Sequence, residues 1–208
     1  MTFDKNQIEL LQELSNYTRD TRLNYSEQEA CGIGKDFWCS DWWTAEVIDF
    51  LILGEKAYQE KDFPEILKDN HNFSIPRTLG DGIIKLNMFE NAKKMKDLAN
   101  VAYVCEVGRG IEVALLSFIK KWDKIVCYDS NNHYGEILKG FFGSLVEFHN
   151  KNTDNFWFDK IKENSIIILS HGINQDINKI IATNDFIKGF IRDGKVHKVF
   201  NDLNGIEL

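Results

Sequence analysis

Proline is almost missing from this chain, with two in 208 residues, and its 14 glycines are scattered rather than run together. That leaves no material for a proline-rich spacer or a long flexible linker. Cysteine is also scarce. Cys31, Cys39, Cys105 and Cys127 form no C-x-x-C pair, so neither a zinc knuckle nor a disulfide framework is expected. Cys105 and Cys127 fall inside apolar runs, where cysteine acts as a small buried hydrophobe. No apolar run approaches bilayer length; the longest, "VIDFLILG", is interrupted by Asp49. The first residues, "MTFDKNQIELLQEL", are charged and amphipathic and lack the apolar centre of a signal peptide. A cytoplasmic protein with no membrane partner is expected. An excess of cations is missing too: 25 Lys and Arg face 32 Asp and Glu, for a net charge of -7. No nucleic-acid partner is therefore expected, because phosphate binding leans on clustered cations. "KKMK" at Lys93 to Lys96 reads as the wet face of a helix. There is no G-x-S-x-G, Walker loop or H-E-x-x-H, so hydrolase and nucleotide-triphosphate readings lack support.

What the chain does have is two grammars. Hydrophobic residues make up 43% and charged residues 27%, the balance of a globular protein. Up to about residue 100 the spacing is helical. Ile8, Leu11 and Leu14 share one face, and Asp41 precedes Trp42, Val47, Ile48, Leu51 and Ile52. A third helix is expected from about Gly82 to Leu98, with loop or short-helix character before it in "FPEILKDNHNFSIPRTLGDG". From Val101 strands and helices alternate. "VAYVCEV", "KIVCYD", "SLVEFHN" and "SIIILSHG" read as strands. A helix stripe runs from Ile111 to Trp122, and "SNNHYGEILKGFF" offers a polar start followed by a short apolar helix. The tail offers helical patterns at Ile177 to Ile181 and Phe186 to Ile191, then an Asn204-Gly205 hairpin signal. The expected fold is α/β, a doubly wound, mostly parallel sheet over residues 81–208 with an N-terminal helical cap over residues 1–80.

The segment "VCEVGRGIE" concentrates the chemistry. Gly108 and Gly110 follow a buried strand and open a helix, one allowing a sharp turn and the other close approach of a ligand. Asp129 ends the next strand, 129 − 110 = 19 residues later, near the offset of about 20 residues at which a carboxylate grips a ribose. Glu112 stands where a third glycine is common. A carboxylate there would repel the pyrophosphate of a dinucleotide by several kcal/mol at an effective dielectric near 20. This disfavours NAD relative to a cationic, phosphate-free ligand.

"CEVGRGIE" followed by "VCYDSN" resembles the first motif and the acidic strand end of class I S-adenosylmethionine-dependent methyltransferases. The resemblance covers the C-terminal half. Glu106, Gly108 and Gly110 match the motif, and Glu112 departs from it. The family's Rossmann-like fold and its S-adenosylmethionine cofactor follow from that resemblance. By it, Asp129 binds the ribose hydroxyls with Ser130 beside it, Glu106 to Gly110 lie along the methionine part, and Asn150 borders the adenine. The implied activity is methyl transfer to a small molecule, on the oxygen of a sugar or related metabolite. The departure at Glu112 leaves open a non-catalytic binding or assembly module.

A hydroxyl acceptor calls for a general base. His171, just after "SIIILS", stands at a strand's carboxyl end and is the first candidate; His133, after Asp129, is the second. His71, His149 and His197 show no metal-ligand spacing, and no metal is expected. The cluster "FWCSDWW" supplies Trp38, Trp42 and Trp43, either cap core or the wall of a substrate cleft.

Overall fold

A computed structural model describes residues 2–21, 40–63, 74–151, 161–169 and 184–199. The chain divides into two compact units, Met1–Leu86 and Asn87–Leu208.

The regular elements among the described residues of the first unit are all helices. Helix α1 (Lys5–Asp20) starts in a capping box: Asp4 accepts from the Gln7 N–H, and the Gln7 side chain accepts from the Asp4 N–H, both at 3.0 Å. It packs against α2 (Ser40–Leu53), and both helices bury apolar residues, Leu11 and Leu14 on one and Ala45 and Ile48 on the other. Gly54, at φ 78°, breaks the chain before α3 (Glu55–Gln59). Four charges are sewn together inside this unit. Arg19 donates to Asp49 at 2.6 Å and Glu46 at 3.1 Å; Lys61 reaches the same two carboxylates at 2.6 Å each. The Tyr58 hydroxyl adds a 2.9 Å bond to Glu46. Burial pushes the Asp49 carboxyl up, but the hydrogen bonds and charges of Lys61 and Arg19 outweigh that and hold it below its ordinary value.

Helix α4 runs Ile75–Lys94, seven residues earlier at its start than the sequence spacing predicts. Ser74 explains the difference. Its hydroxyl accepts from the Arg77 N–H at 3.2 Å, a helix start, and Pro76 sits in the first turn where its missing N–H costs nothing. Gly82 lies inside the helix, and a Cβ there would overlap the Phe50 ring. It is an approach glycine rather than a loop marker.

The second unit carries a six-stranded sheet: β1 (Val101–Cys105), β2 (Lys124–Asp129), β3 (Val146–Asn150), β4 (Ser165–Leu169), β5 (Ile187–Arg192) and β6 (Lys195–Val199). Their order is β3-β2-β1-β4-β5-β6. All neighbours pair in parallel except β5 with β6, which are antiparallel. This is a mixed α/β architecture with a mostly parallel sheet, as the strand–helix alternation predicts. Helices α5 (Ile111–Ser117) and α6 (Asn132–Phe142) join the first three strands. The α5 stripe stops at Ser117, short of the expected Trp122, whose indole instead donates back to the Leu116 carbonyl at 2.8 Å.

One sheet face, through Val104, Cys127, Phe148 and Ile168, meets α6, because a Cβ on Gly135 would overlap the Phe148 ring. The opposite face gathers Val101, Cys105, Val126, Tyr128, Ile167, Leu169 and Phe190 into one core cluster. Three readings of the tail need correction or placement. Phe186 to Ile191, expected as helix, is strand β5 from Ile187 onward. Its apolar residues fit either period, and Gly189 decides it, since a Cβ there would strike the Met95 sulfur. The observed hairpin turns at Asp193-Gly194, with φ 48° and 73°, the double positive φ of a two-residue turn. The Asn204-Gly205 signal and the Ile177 to Ile181 pattern lie outside the described residues.

Candidate functional site

The sheet order reverses between β1 and β4, so their carboxyl ends open the crevice where parallel α/β sheets bind ligands. The glycine turn leaves β1 there. Three of its residues take positive φ: Glu106 at 55°, Gly108 at 51° and Gly110 at 93°. For Glu106 that is a strained conformation of order 1–3 kcal/mol, held by the surrounding structure. A Cβ on Gly108 would meet nothing within 4 Å, so the backbone there is open to a close approach. Gly110 is different: it caps α5 in the left-handed region, and its Cβ would lie 2.5 Å from Leu138 Cδ2. One glycine faces open space and the other faces packing.

Asp129, at the end of β2, is tied to this turn. Its Oδ2 accepts from the Gly108 N–H at 3.0 Å and its Oδ1 from the Asn131 N–H at 2.9 Å. Burial raises its carboxyl above the ordinary value; the surrounding backbone N–H groups oppose the rise, and the charge of Glu112 adds to it. A carboxylate offers about four lone-pair directions. The backbone takes two of them, which leaves two for a ligand.

Around Asp129 the other predicted residues fall into place unequally. Ser130 and Asn150 come together: the Asn150 amide donates to the Ser130 carbonyl at 3.1 Å, and both residues are exposed. His133 sits in the first turn of α6, and its Nε2 is buried with no hydrogen-bond partner among the described residues. His171 lies outside the described residues, as do Trp38 and the side chain of Trp42. Trp43 is in the first unit and carries the Arg77 guanidinium 4.1 Å from its ring centroid, a cation–π contact that uses one of its faces. His149 stacks on Tyr128 at 4.9 Å and bonds Glu147 at 2.7 Å. No group of three metal-ligating side chains occurs among the described residues, and no described helix is long and apolar enough to cross a membrane.

Three residues carry more than the sequence spacing gives them. Glu112 is buried at 4% exposure. Arg109, between the two glycines, is 2% exposed, and both are engaged with neighbours. Asn131 caps α6, its Oδ1 accepting from the His133 N–H at 3.0 Å. Its Nδ2 is buried and has no hydrogen-bond partner among the described residues, a deficit worth roughly 1–3 kcal/mol. An asparagine two residues after a strand-end acid and just before a helix was the available signal for that cap.

No protein-family model and no curated protein matches this sequence. A solved structure of an uncharacterized protein from Burkholderia thailandensis is similar over 81% of this chain, at 11% identity and a TM-score of 0.27. The match spans 41% of that protein's length. A likeness of that size bears on neither fold nor function.

Proposed function

We propose that the second unit binds S-adenosylmethionine and that the protein transfers its methyl group to a small molecule, on the oxygen of a sugar or related metabolite. The helical first unit is proposed as the substrate-side cap. One observation carries this reading: at the switch point of the sheet, a glycine turn with three positive-φ residues is hydrogen-bonded through Gly108 to the acid that ends β2. The residues fit such a ligand on their own chemistry. Gly108 leaves open space for it, and Asp129 keeps acceptor positions free. Glu112 and Asp129 interact electrostatically. Two carboxylates so placed disfavour a pyrophosphate by several kcal/mol at an effective dielectric near 20, and they tolerate a sulfonium or ammonium.

When bound, the cofactor supplies a methyl group on a sulfonium, ready for in-line displacement. The chain's part is positioning. Glu106 and the turn would lie along the methionine portion, Asp129 and Ser130 beside the ribose, and Asn150 beside the adenine. His133 would take the proton of the acceptor hydroxyl at Nε2, the atom left without a partner among the described residues; His171 is the alternative base. Such a base adds about 10²–10⁴-fold to the rate. A second reading, a binding module without catalysis, draws on the two backbone bonds that already occupy Asp129.

Calorimetry with S-adenosylmethionine, S-adenosylhomocysteine and NAD in parallel tests the assignment. Binding of the first two without NAD is the expected result; micromolar NAD affinity with no binding of S-adenosylmethionine would overturn it. Cofactor binding with no methyl transfer to any hydroxylated metabolite in a panel would favour the second reading.

A further inference from the structure

We infer that Asn131 is a ligand-binding residue, whose side-chain amide donates to a hydroxyl of the bound ligand next to Asp129. The inference rests on the adenosyl-binding reading and names how its sugar is held. Asn131 is 8% exposed, and its Oδ1 accepts from the His133 N–H at 3.0 Å. That bond fixes which end of the amide is which, because only the oxygen can accept from an N–H. Nδ2 shares the same carbon, so it lies at the N-terminal mouth of α6, an eleven-residue helix. It is closed to solvent and has no partner among the described residues. A buried amide nitrogen left orphaned at the helix mouth marks a place where a polar group belongs.

Asp129 decides which group. Its Oδ1 accepts from the Asn131 backbone N–H at 2.9 Å, so an anion entering beside Nδ2 would face a carboxylate at close range. A carbonyl or ether could accept from Nδ2 but could give nothing to the acceptor positions left on Asp129. A hydroxyl does both, donating to Asp129 and accepting from Asn131. Two backbone N–H groups already hold Asp129 in place, and the Asn131 amide supplies a second contact to the hydroxyl that the carboxylate accepts from. The ligand class is a hydroxylated ring, a ribose in the adenosyl reading.

The test uses variants that keep the helix cap and lose the amide. Asn131→Asp and Asn131→Ser both retain a capping oxygen for the His133 N–H, and the serine adds no charge. Full-length protein is titrated by calorimetry with S-adenosylhomocysteine, adenosine, 2′-deoxyadenosine and 3′-deoxyadenosine, and Tm is recorded for each variant. Expected are at least a tenfold weaker binding of adenosine and S-adenosylhomocysteine by both variants, and a Tm for the serine variant within a few degrees of wild type. For one of the two deoxy ligands the variants and wild type should bind alike, since the hydroxyl that Asn131 holds is gone. Unchanged adenosine affinity in both variants, or wild-type affinity for both deoxy ligands equal to that for adenosine, overturns the Asn131 assignment and leaves the adenosyl reading standing. A wild-type protein that binds none of the four overturns both.

Discussion

Gly108 and Gly110 are two residues apart and share a positive φ, yet they answer to different constraints. Gly108 at 51° has open space beyond its Cα, whereas Gly110 at 93° has Leu138 against it. Gly108→Ala should therefore cost about 1–2 kcal/mol, the ordinary penalty of a left-handed L-residue, while placing a methyl in the open approach. Gly110→Val adds overpacking of about 1–3 kcal/mol to a larger backbone penalty. Urea denaturation should rank them, with Gly108→Ala folded and impaired in ligand binding and Gly110→Val the less stable. Equal losses of stability would remove the distinction. At this scale the sequence was legible in part. The spacing of Glu106, Gly108, Gly110 and Asp129 pointed to one site, and Gly108 and Asp129 are hydrogen-bonded. The burial of Glu112 and Arg109 was not legible, because a helix-start acid and a turn arginine both read as surface residues from their type and position alone.

Among the elements, α6 shows how packing overrides propensity. Gly135 and Gly140 lie on one helix, and alanine is favoured over glycine in a helix interior by about 1 kcal/mol. Gly140 has nothing within 4 Å of its Cβ direction, whereas Gly135 faces the Phe148 ring. Gly140→Ala should raise stability by roughly 0.5–1 kcal/mol. Gly135→Ala should lower it by about 1–3 kcal/mol, because Phe148 must leave its place on β3. Chemical denaturation of the two variants checks this, and a gain of stability at both positions would contradict the packing. The same competition explains β5. "FIKGFI" spaces its apolar residues so that a helix or a strand can use them. Strand β5 prevailed because it pairs with both β4 and β6, and because Gly189 lets Met95 pack flat on the sheet. The Asp193-Gly194 turn was written plainly in the sequence, and only the helical reading of the preceding residues hid it.

For the molecule as a whole, the two units should answer acid in opposite ways. Asp49 in the first unit is held below its ordinary value of 3.8 by Lys61 and Arg19. It contributes stability that is present above pH 3.8 and lost as the pH falls through its lower folded value. Asp129 in the second unit is raised above 3.8. Its contribution is present below that unfolded value and disappears as the pH rises through the folded one, so acid relieves it. Breaking one partner from a buried pair costs about 3–5 kcal/mol, and losing the Asp49 charge removes one of the two carboxylates that Arg19 and Lys61 share. Hydrogen exchange followed from pH 7 to pH 3 should show α1 and α2 losing protection before β1 and β2. Asp49→Asn should flatten that acid dependence at the expense of stability near neutral pH. Sheet strands opening first would contradict the assignment.

The sequence by itself determined the parallel strands, the glycine turn and the acid that faces it, because buried parallel strands and tight turns leave local signatures in composition and spacing. Only the tertiary structure decided that Asp129 spends two acceptor positions on the backbone, that Asn131 keeps an amide without a partner among the described residues, and that the chain from Ile187 extends instead of coiling. Those outcomes depend on which groups meet across strands and helices far apart in the chain. No residue's own type or local spacing records them.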